Sequence, residues 1–245
     1  MTRDRDAYGL EILRYLEDGS GTEIIERDDG FFEKSSGPSV YFDPFRRWPK
    51  HQRQAMRFVR GRVLDVGVGA GRVALHLQAR GHEVVAIDNS PRALEVSRRR
   101  GVHDARLVPI EEVDSSLGSF DTIVMMGNNF GLFGSRSKAK RLLRRFHRLT
   151  SERGRIVAES RDPYLTDDPD HRAYQERNRR RGRMSGQLRL RVRYRHACSA
   201  WFDYLIVSPD EMRELLDGTG WRLARVIDGD AGLYVAVIEK TPTRR

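Results

Sequence analysis

Short runs of consecutive apolar residues alternate with longer stretches of helical period along the middle of the chain. The runs "RVLDVG" (62–67), "EVVAIDNS" (83–90), "ARLVPI" (105–110), "FDTIVMMG" (120–127) and "RIVAES" (155–160) predict five buried strands. Between them, "GRVALHLQARG" (71–81), "SPRALEVSRRRG" (90–101) and "SRSKAKRLLRRFHRLTSERG" (135–154) predict helices, the second capped by Ser90 with Pro91 in its first turn. Strand–helix repeats joined by short connections predict a mainly parallel sheet covered on both faces, a doubly wound α/β fold.

The flanks read differently. Residues 1–40 are polar and punctuated, which predicts a short helix followed by loop, and a further helix is expected from about Pro49 to Gly61. Residues 161–187 are polar and arginine-rich with no regular period, whereas 187–208 alternate every second residue and predict a hairpin. Ser208, Pro209 and Glu211 mark the start of a last helix. Two strands, "WRLARVIDG" and "GLYVAVIEK", follow it and are expected to be antiparallel at the sheet edge. The expected organisation is an N-terminal lid segment (1–60), a Rossmann-like core (61–160), an arginine-rich insertion (161–207), and a C-terminal helix with two strands (208–245). The last completes a seven-stranded, mainly parallel sheet with an antiparallel last strand.

Composition narrows the classes. With 245 residues, 38% of them apolar, the chain can bury a sizeable core. No apolar run reaches bilayer length and the N-terminus lacks a signal-peptide core, so a cytoplasmic protein without a membrane partner is expected. The single cysteine, Cys198, excludes an internal disulfide framework and a multi-cysteine metal site, and no metal is expected. A formal charge of +10 suggests a polyanion partner. Only five of the 45 basic residues are lysine, however, and an arginine bias of that kind raises the isoelectric point without any such partner.

The candidate chemistry lies where the first strand meets the first helix. Asp65, Gly67, Gly69 and Gly71 fall at the carboxyl end of that strand, the ligand-binding end of an open parallel sheet. Glycines there let the backbone turn sharply and let a ligand lie against it. Asp88 ends the second strand, placed to accept hydrogen bonds from ribose hydroxyls. A dinucleotide fingerprint would need its third glycine at position 72, which is Arg72. An acid two residues before the first glycine is awkward beside a pyrophosphate and useful beside an ammonium group. S-adenosylmethionine carries an ammonium, a sulfonium and a ribose but no phosphate, and the charges favour it.

On these residues the chain resembles the class I S-adenosylmethionine-dependent methyltransferases, particularly their small-molecule branch. "LDVGVGAGR" is similar to that family's glycine-rich cofactor motif and "AIDNSPRAL" to its ribose-binding strand end. The similarity covers roughly residues 40–160 by motif, and the terminal helix–strand–strand unit by order of elements. It implies S-adenosylmethionine as cofactor and S-adenosylhomocysteine as product, with Asp65 and Gly67 at the methionine end and Gly69 and Gly71 beneath ribose and sulfonium. Asp88 would hold the ribose, Asn89 would lie next to adenine, Ile110 would pack on adenine, and Glu111 would accept from its amino group. Pro109 takes the place that is often acidic in the family. Tyr41 is expected in a segment folded over the cofactor, and the Met126 and Gly127 carbonyls are expected near the methionine ammonium.

For the acceptor, the resemblance points to the loop after the fourth strand and to the insertion. Asn128 and Asn129 would orient the acceptor and Phe130 and Phe133 would wall it; a turn whose asparagines cap the next helix is the alternative. The insertion offers Tyr164, Trp201 and Tyr204 as acceptor-site residues and His171 and His196 as general bases, histidine titrating nearest neutrality. The other histidines, His51 and His76 among them, read as surface or helix residues. A small-molecule acceptor and a monomer or homodimer are expected. Arg189, Arg191, Arg193 and Arg195 share one face of the predicted hairpin. They read as a solvated strand, as a guide for an anionic acceptor, or as a nucleic-acid contact. The nearby aromatics form no RNA-binding signature, which disfavours the last. A cofactor-binding protein without catalysis is the remaining alternative.

Overall fold

The structure, a computed structural model, describes residues 5–35 and 37–242. Residues 1–4, 36 and 243–245, which belong to the expected N-terminal and C-terminal segments, lie outside the described residues. In chain order the elements are α1 (Ala7–Asp18), β1 (Ile24–Arg27), β2 (Phe32–Lys34), α2 (Lys50–Ala55), β3 (Val63–Val66), α3 (Arg72–Ala79), β4 (Val84–Asp88), α4 (Pro91–Arg99) and β5 (Asp104–Leu107). Then follow β6 (Phe120–Met125), α5 (Arg136–Arg148), β7 (Thr150–Arg161), α6 (Pro169–Arg180), β8 (Gln187–Tyr194), β9 (Ala197–Cys198), β10 (Phe202–Leu205), α7 (Pro209–Leu216), β11 (Trp221–Asp228) and β12 (Leu233–Lys240).

Seven strands form one sheet in the order β11-β12-β7-β6-β3-β4-β5. The pairs β4/β5 and β6/β7 are parallel, and β12 is antiparallel to both of its neighbours. The expected Rossmann-like α/β fold with an antiparallel last strand is therefore observed. One detail differs: β12 inserts between β7 and β11, so of the two C-terminal strands only β11 lies at the sheet edge. The burial explains it. Residues Tyr234–Ile238 of β12 are all buried, as a strand covered on both faces requires, whereas β11 keeps several exposed positions.

A second, small sheet has the order β10-β8-β1-β2, with β9 also paired to β8. The predicted hairpin is present as β8 and β9, which turn at Arg195, a residue of positive φ (52°). The segment expected to be loop after the first helix instead supplies β1 and β2, and β1 pairs with β8 in the register Ile25↔Val192. The arginine-rich stretch expected to lack regular structure contains α6. Asp168 caps it by accepting from Asp170 and His171 backbone N–H groups, with Pro169 in the first turn. The helix before the first core strand is shorter than expected, ending at Ala55 and continuing as a 3-10 turn over Met56–Phe58. Similarly, α5 stops at Arg148 and β7 begins at Thr150, before the expected strand start.

Contacts group the chain into two compact units: Met1–Trp48, Asp65–Glu112 and Arg189–Phe202 form the first, and Pro49–Leu64, Val113–Leu188 and Asp203–Arg245 the second. In the first, Ile12 of α1 packs with Ala70, Ala93 and Val96, covered by Tyr8, Leu16, Tyr41 and Phe42. Asp6 fixes how α1 docks. Its carboxylate accepts from Gly9 N (3.0 Å), capping α1, and from Ser90 Oγ (2.7 Å) and Arg92 N (3.2 Å) at the start of α4. In the second, Phe130, Phe133 and Phe146 are buried together, and the Trp221 indole donates to Leu143 O (2.8 Å). No described helix is long and apolar enough to cross a membrane.

Candidate active site

The glycine loop lies in the first unit, between β3 and α3. Gly67, Gly69 and Gly71 adopt positive φ (78°, 52° and 84°), which side chains with a Cβ resist. Gly67 N and Val68 N both donate to Ile87 O (2.9 and 3.0 Å), tying the loop to β4. The Asp88 carboxylate completes the tie, accepting from Gly69 N at Oδ2 (3.0 Å) and from Ser90 N at Oδ1 (2.9 Å). Two of the glycines are needed for different reasons. A Cβ at Gly71 would lie 2.7 Å from Val102 Cγ2, so that glycine serves packing. A Cβ at Gly69 would lie 2.6 Å from the Tyr8 hydroxyl, so that glycine keeps the loop surface bare beneath Tyr8.

Both acids of the motif are buried, and burial pushes the Asp88 carboxyl above the ordinary carboxylate range. Asp65 is only 2% exposed, and its Oδ2 has no hydrogen-bond partner. Burial, and then the nearby charge of Asp88, raise its pKa to about 7. A buried acceptor atom left without a donor is costly, and an ammonium group would satisfy it.

The remaining expected cofactor residues of this unit sit near that strand end. Val108 N donates to Asp88 O (3.1 Å), which brings the turn Ile110–Glu112 next to β4. Ile110 is buried there, whereas Glu111 and Asn89 are exposed. Tyr41 is half-buried and edge-on to Tyr8, with ring centroids 5.4 Å apart, and Arg100 donates to its carbonyl (3.3 Å). Tyr8 was not a candidate from sequence. The signal available was the capping Asp6, which starts the helix that carries Tyr8 over the loop.

In the second unit the loop after β6 is braced by an acid that the sequence reading did not single out. Glu159, in β7, accepts from Gly127 N (2.7 Å) and Asn128 N (2.9 Å) at Oε2, and from Gln52 Nε2 (2.8 Å) at Oε1. His51 Nε2 lies 2.7 Å from the same Oε1. Burial alone would raise the Glu159 carboxyl; the bonds from His51, Gln52 and Asn128 outweigh it and hold the pKa below the ordinary value. His51, read as a surface or helix residue, is a helix residue of α2 but not a surface one: it is 3% exposed and part of this brace. His76, also read as a surface or helix residue, stacks on Phe45 in the first unit with centroids 3.9 Å apart.

The braced loop holds Met126 buried, Gly127 at φ 74° and Asn128 in the left-handed region at φ 64°. The Tyr204 hydroxyl donates to Asn128 O, and the Tyr204 ring covers Gly131, where a Cβ would lie 2.1 Å from Tyr204 Cζ. Asn128 and Tyr204, both expected at the acceptor, are thus brought together, with Asn129 adjacent and half-buried. The Asn128 Oδ1 is buried without a partner. Phe133 is fully buried against Phe130 and Phe146, so its ring belongs to the core.

The insertion residues occupy other places. The Tyr164 hydroxyl lies 3.0 Å from Ser185 Oγ and 2.8 Å from Glu211 Oε1. His171 Nδ1 lies 3.3 Å from Thr166 Oγ1 at the start of α6. In the first unit, His196 is exposed in the turn between β8 and β9, and Trp201 carries the Arg191 guanidinium 4.4 Å above its ring. The arginine ladder is partly neutralised within the chain. Glu26 accepts from Arg191 (2.6 and 2.7 Å) and from Arg193, and these bonds hold its carboxyl down to about 2. Among the described residues no group of three or more His, Cys, Asp or Glu is placed to hold a metal ion.

With this geometry in view, the comparisons with known proteins agree. A family model described as a methyltransferase domain matches residues 63–154. The ubiquinone biosynthesis O-methyltransferase of Methylocella silvestris is 39% identical over 30% of this chain and 31% of its own. The ubiquinone/menaquinone biosynthesis C-methyltransferase of Citrifermentans bemidjiense is 34% identical over 40% of this chain and 44% of its own. The match therefore spans less than half the length of either curated relative. A crystal structure of an S-adenosylmethionine-dependent methyltransferase from Bacteroides fragilis, in complex with S-adenosylhomocysteine, is 26% identical. It covers 99% of this chain and 98% of its own with a TM-score of 0.84. Glycine loop, strand-end acids, strand order and these likenesses coincide: residues 63–154 match a methyltransferase domain, and the fold is that of the class I S-adenosylmethionine-dependent methyltransferases.

Proposed function

We propose that the protein transfers the methyl group of S-adenosylmethionine to a nitrogen, oxygen or carbon atom of a small-molecule acceptor. The observation that carries this reading is the buried, unpartnered Oδ2 of Asp65 beside a loop of positive-φ glycines. That pair suits a ligand with an ammonium group and a flat nucleoside, and it does not suit a pyrophosphate. Asp65 would hold the methionine ammonium, Asp88 the ribose hydroxyls and Ile110 the adenine face, while Gly69 leaves the loop bare under the ligand. When bound, the cofactor supplies a methyl group made electrophilic by its sulfonium. The chain's own contribution is positioning and exclusion of water, which is where much of the rate in an in-line displacement arises.

In the second unit, Asn128, Asn129 and Tyr204 are the expected acceptor residues whose placement supports that role, because Glu159 and Tyr204 fix the loop that carries them. The insertion 161–207 covers the acceptor in this reading. His171 and His196 remain candidates for a base only if the acceptor needs one, and neither is held by the Glu159 brace. The likeness to two methyltransferases of quinone biosynthesis favours a small acceptor over a nucleic acid, as does the pairing of Arg191 and Arg193 with Glu26. We place the enzyme in the cytoplasm. The test is calorimetry with S-adenosylhomocysteine and, separately, NADH. Binding of the first with loss of at least tenfold affinity in Asp88→Ala supports the reading; binding of the dinucleotide instead refutes it.

A further inference from the structure

The first unit holds a second pair of buried acids that the cofactor reading does not use. Glu11, on α1, is fully buried, and neither of its carboxylate oxygens has a hydrogen-bond partner. Glu23, just before β1, is buried as well and is bonded by the Ser35 side chain. No cation of the chain pairs with either acid among the described residues, and the charge that acts on Glu11 is the like charge of Glu23. The enclosure is built: a Cβ at Gly21 would lie 2.5 Å from Pro38 Cγ and 3.2 Å from Glu11 Cγ, so only glycine lets the chain close over the acid.

The pair lies beside the cofactor seat. Tyr8 stands one helical turn before Glu11 on α1, on the same side of the helix. Its ring feels the charges of Asp88, Glu23 and Glu11 together, and its hydroxyl sits over Gly69. A carboxyl buried with both oxygens unbonded is costly in any apo fold, and a fold keeps such a group where a ligand supplies the missing donors.

We propose that Glu11 and Glu23 bind a basic nitrogen of the methyl acceptor, so that the substrate class is a small molecule bearing an amine rather than an anion. This rests on the methyltransferase reading above. An ammonium group has up to three donors, enough for the two free oxygens of Glu11 and a further one on Glu23, and it cancels the like-charge repulsion between them. Aromatic Tyr8, one turn before Glu11 on α1, adds a face that a cation favours.

The test uses the whole protein loaded with S-adenosylhomocysteine, whose binding is measured first. Two matched sets are then titrated: benzylamine with benzyl alcohol and benzoate, and tyramine with tyrosol and 4-hydroxyphenylacetate. Each amine is expected to bind at least tenfold tighter than its alcohol and its acid. Glu11→Gln and Glu23→Gln should each remove that preference while leaving S-adenosylhomocysteine affinity unchanged and the melting temperature no lower than that of the wild type. Gln is nearly isosteric with the protonated acid, so these variants should fold; the wild-type preference is in any case read without them. If S-adenosylhomocysteine binds and neither amine is preferred, this inference fails and the cofactor reading stands. Failure of S-adenosylhomocysteine to bind overturns both.

Discussion

Asp65→Asn is the most informative single change, because it removes one charge with little change of shape. In the cofactor-free protein the Asp65 pKa is raised to about 7, first by burial and then by the charge of Asp88. If the ionised form binds the ammonium of the cofactor, affinity follows the ionised fraction. That fraction is about nine-tenths at pH 8, about one-tenth at pH 6 and about one-hundredth at pH 5, from a pKa of about 7. Cofactor affinity is therefore expected to fall roughly tenfold between pH 8 and pH 6, and roughly tenfold more by pH 5. In Asp65→Asn the Asp65-dependent part of this slope should vanish, with affinity at pH 8 reduced at least tenfold.

The same substitution should act oppositely on the empty fold. A folded-state pKa above the unfolded value means that the native state binds the proton more tightly, so ionisation of Asp65 drains stability as pH rises from about 4 to about 7. At about 1.4 kcal/mol per pH unit, Asp65→Asn is expected to stabilise the cofactor-free protein at pH 8 by up to about 4 kcal/mol, and to change it little at pH 4. The assays are calorimetric titration with S-adenosylhomocysteine and thermal melting, each at pH 5, 6 and 8. A variant that binds the cofactor as tightly as wild type at pH 8 and melts lower would refute the reasoning, since Asp65 would then be an ordinary structural acid.

Other substitutions have expected outcomes as definite. Glu159→Ala removes the carboxylate that accepts from Gly127 N, Asn128 N and Gln52 Nε2, a loss of about 3 kcal/mol that thermal melting should show as a fall of several degrees. Gly69→Ala meets the Tyr8 hydroxyl and a strained φ of 52°, so it should weaken S-adenosylhomocysteine binding at least tenfold; Tyr8→Phe in the same chain should restore part of it in the same titration. Glu26 is held down to about 2 by its bonds to Arg191 and Arg193, so it contributes stability above its ordinary value of 4.5 that is lost as pH falls toward 2. Acid melts of Glu26→Gln should lack that component, and the variant, with two arginines released, should bind a DNA oligonucleotide with a steeper salt dependence than wild type. Tyr204→Phe removes the donor to Asn128 O and should cost about 1 kcal/mol of stability by chemical denaturation.

The central sheet was legible because strands buried on both faces read as apolar runs, which Val84–Ile87 and Ile123–Met125 illustrate. The small sheet was not. Its strand β1 is only "IIER", and what makes it a strand is pairing with residues far along the chain, Ile24 with Arg193. Local pattern carries no trace of such a partner. The alternation of β8 was visible, but the counter-charge that neutralises Arg191 and Arg193 sits at Glu26, outside the tract, so the ladder looked more open to an anion than it is. Helix α6 was missed because its sequence offers little apolar period, and its start is written only in Asp168 and Pro169.

The same contrast governs the site, and three buried carboxylates show how. A glutamate on a helix or strand is ordinarily solvated, so nothing local in "AYGLEILRYLED" or "RIVAES" marks Glu11 or Glu159 as interior; Asp65 was found because its spacing from the glycines has a chemical reason. Once the fold has buried all three, their partners separate them. Glu159 receives bonds from two backbone N–H groups and a glutamine, and lies within bonding distance of a histidine; its pKa falls despite burial, and it is a brace. Asp65 and Glu11 keep oxygens that no donor among the described residues reaches, and their pKa values rise to about 7 and about 8. A completed hydrogen-bond set makes a buried acid part of the protein's own structure. An incomplete one is a request for donors from outside, and that is the ground on which Asp65 is proposed for the cofactor and Glu11 for the molecule that receives its methyl group.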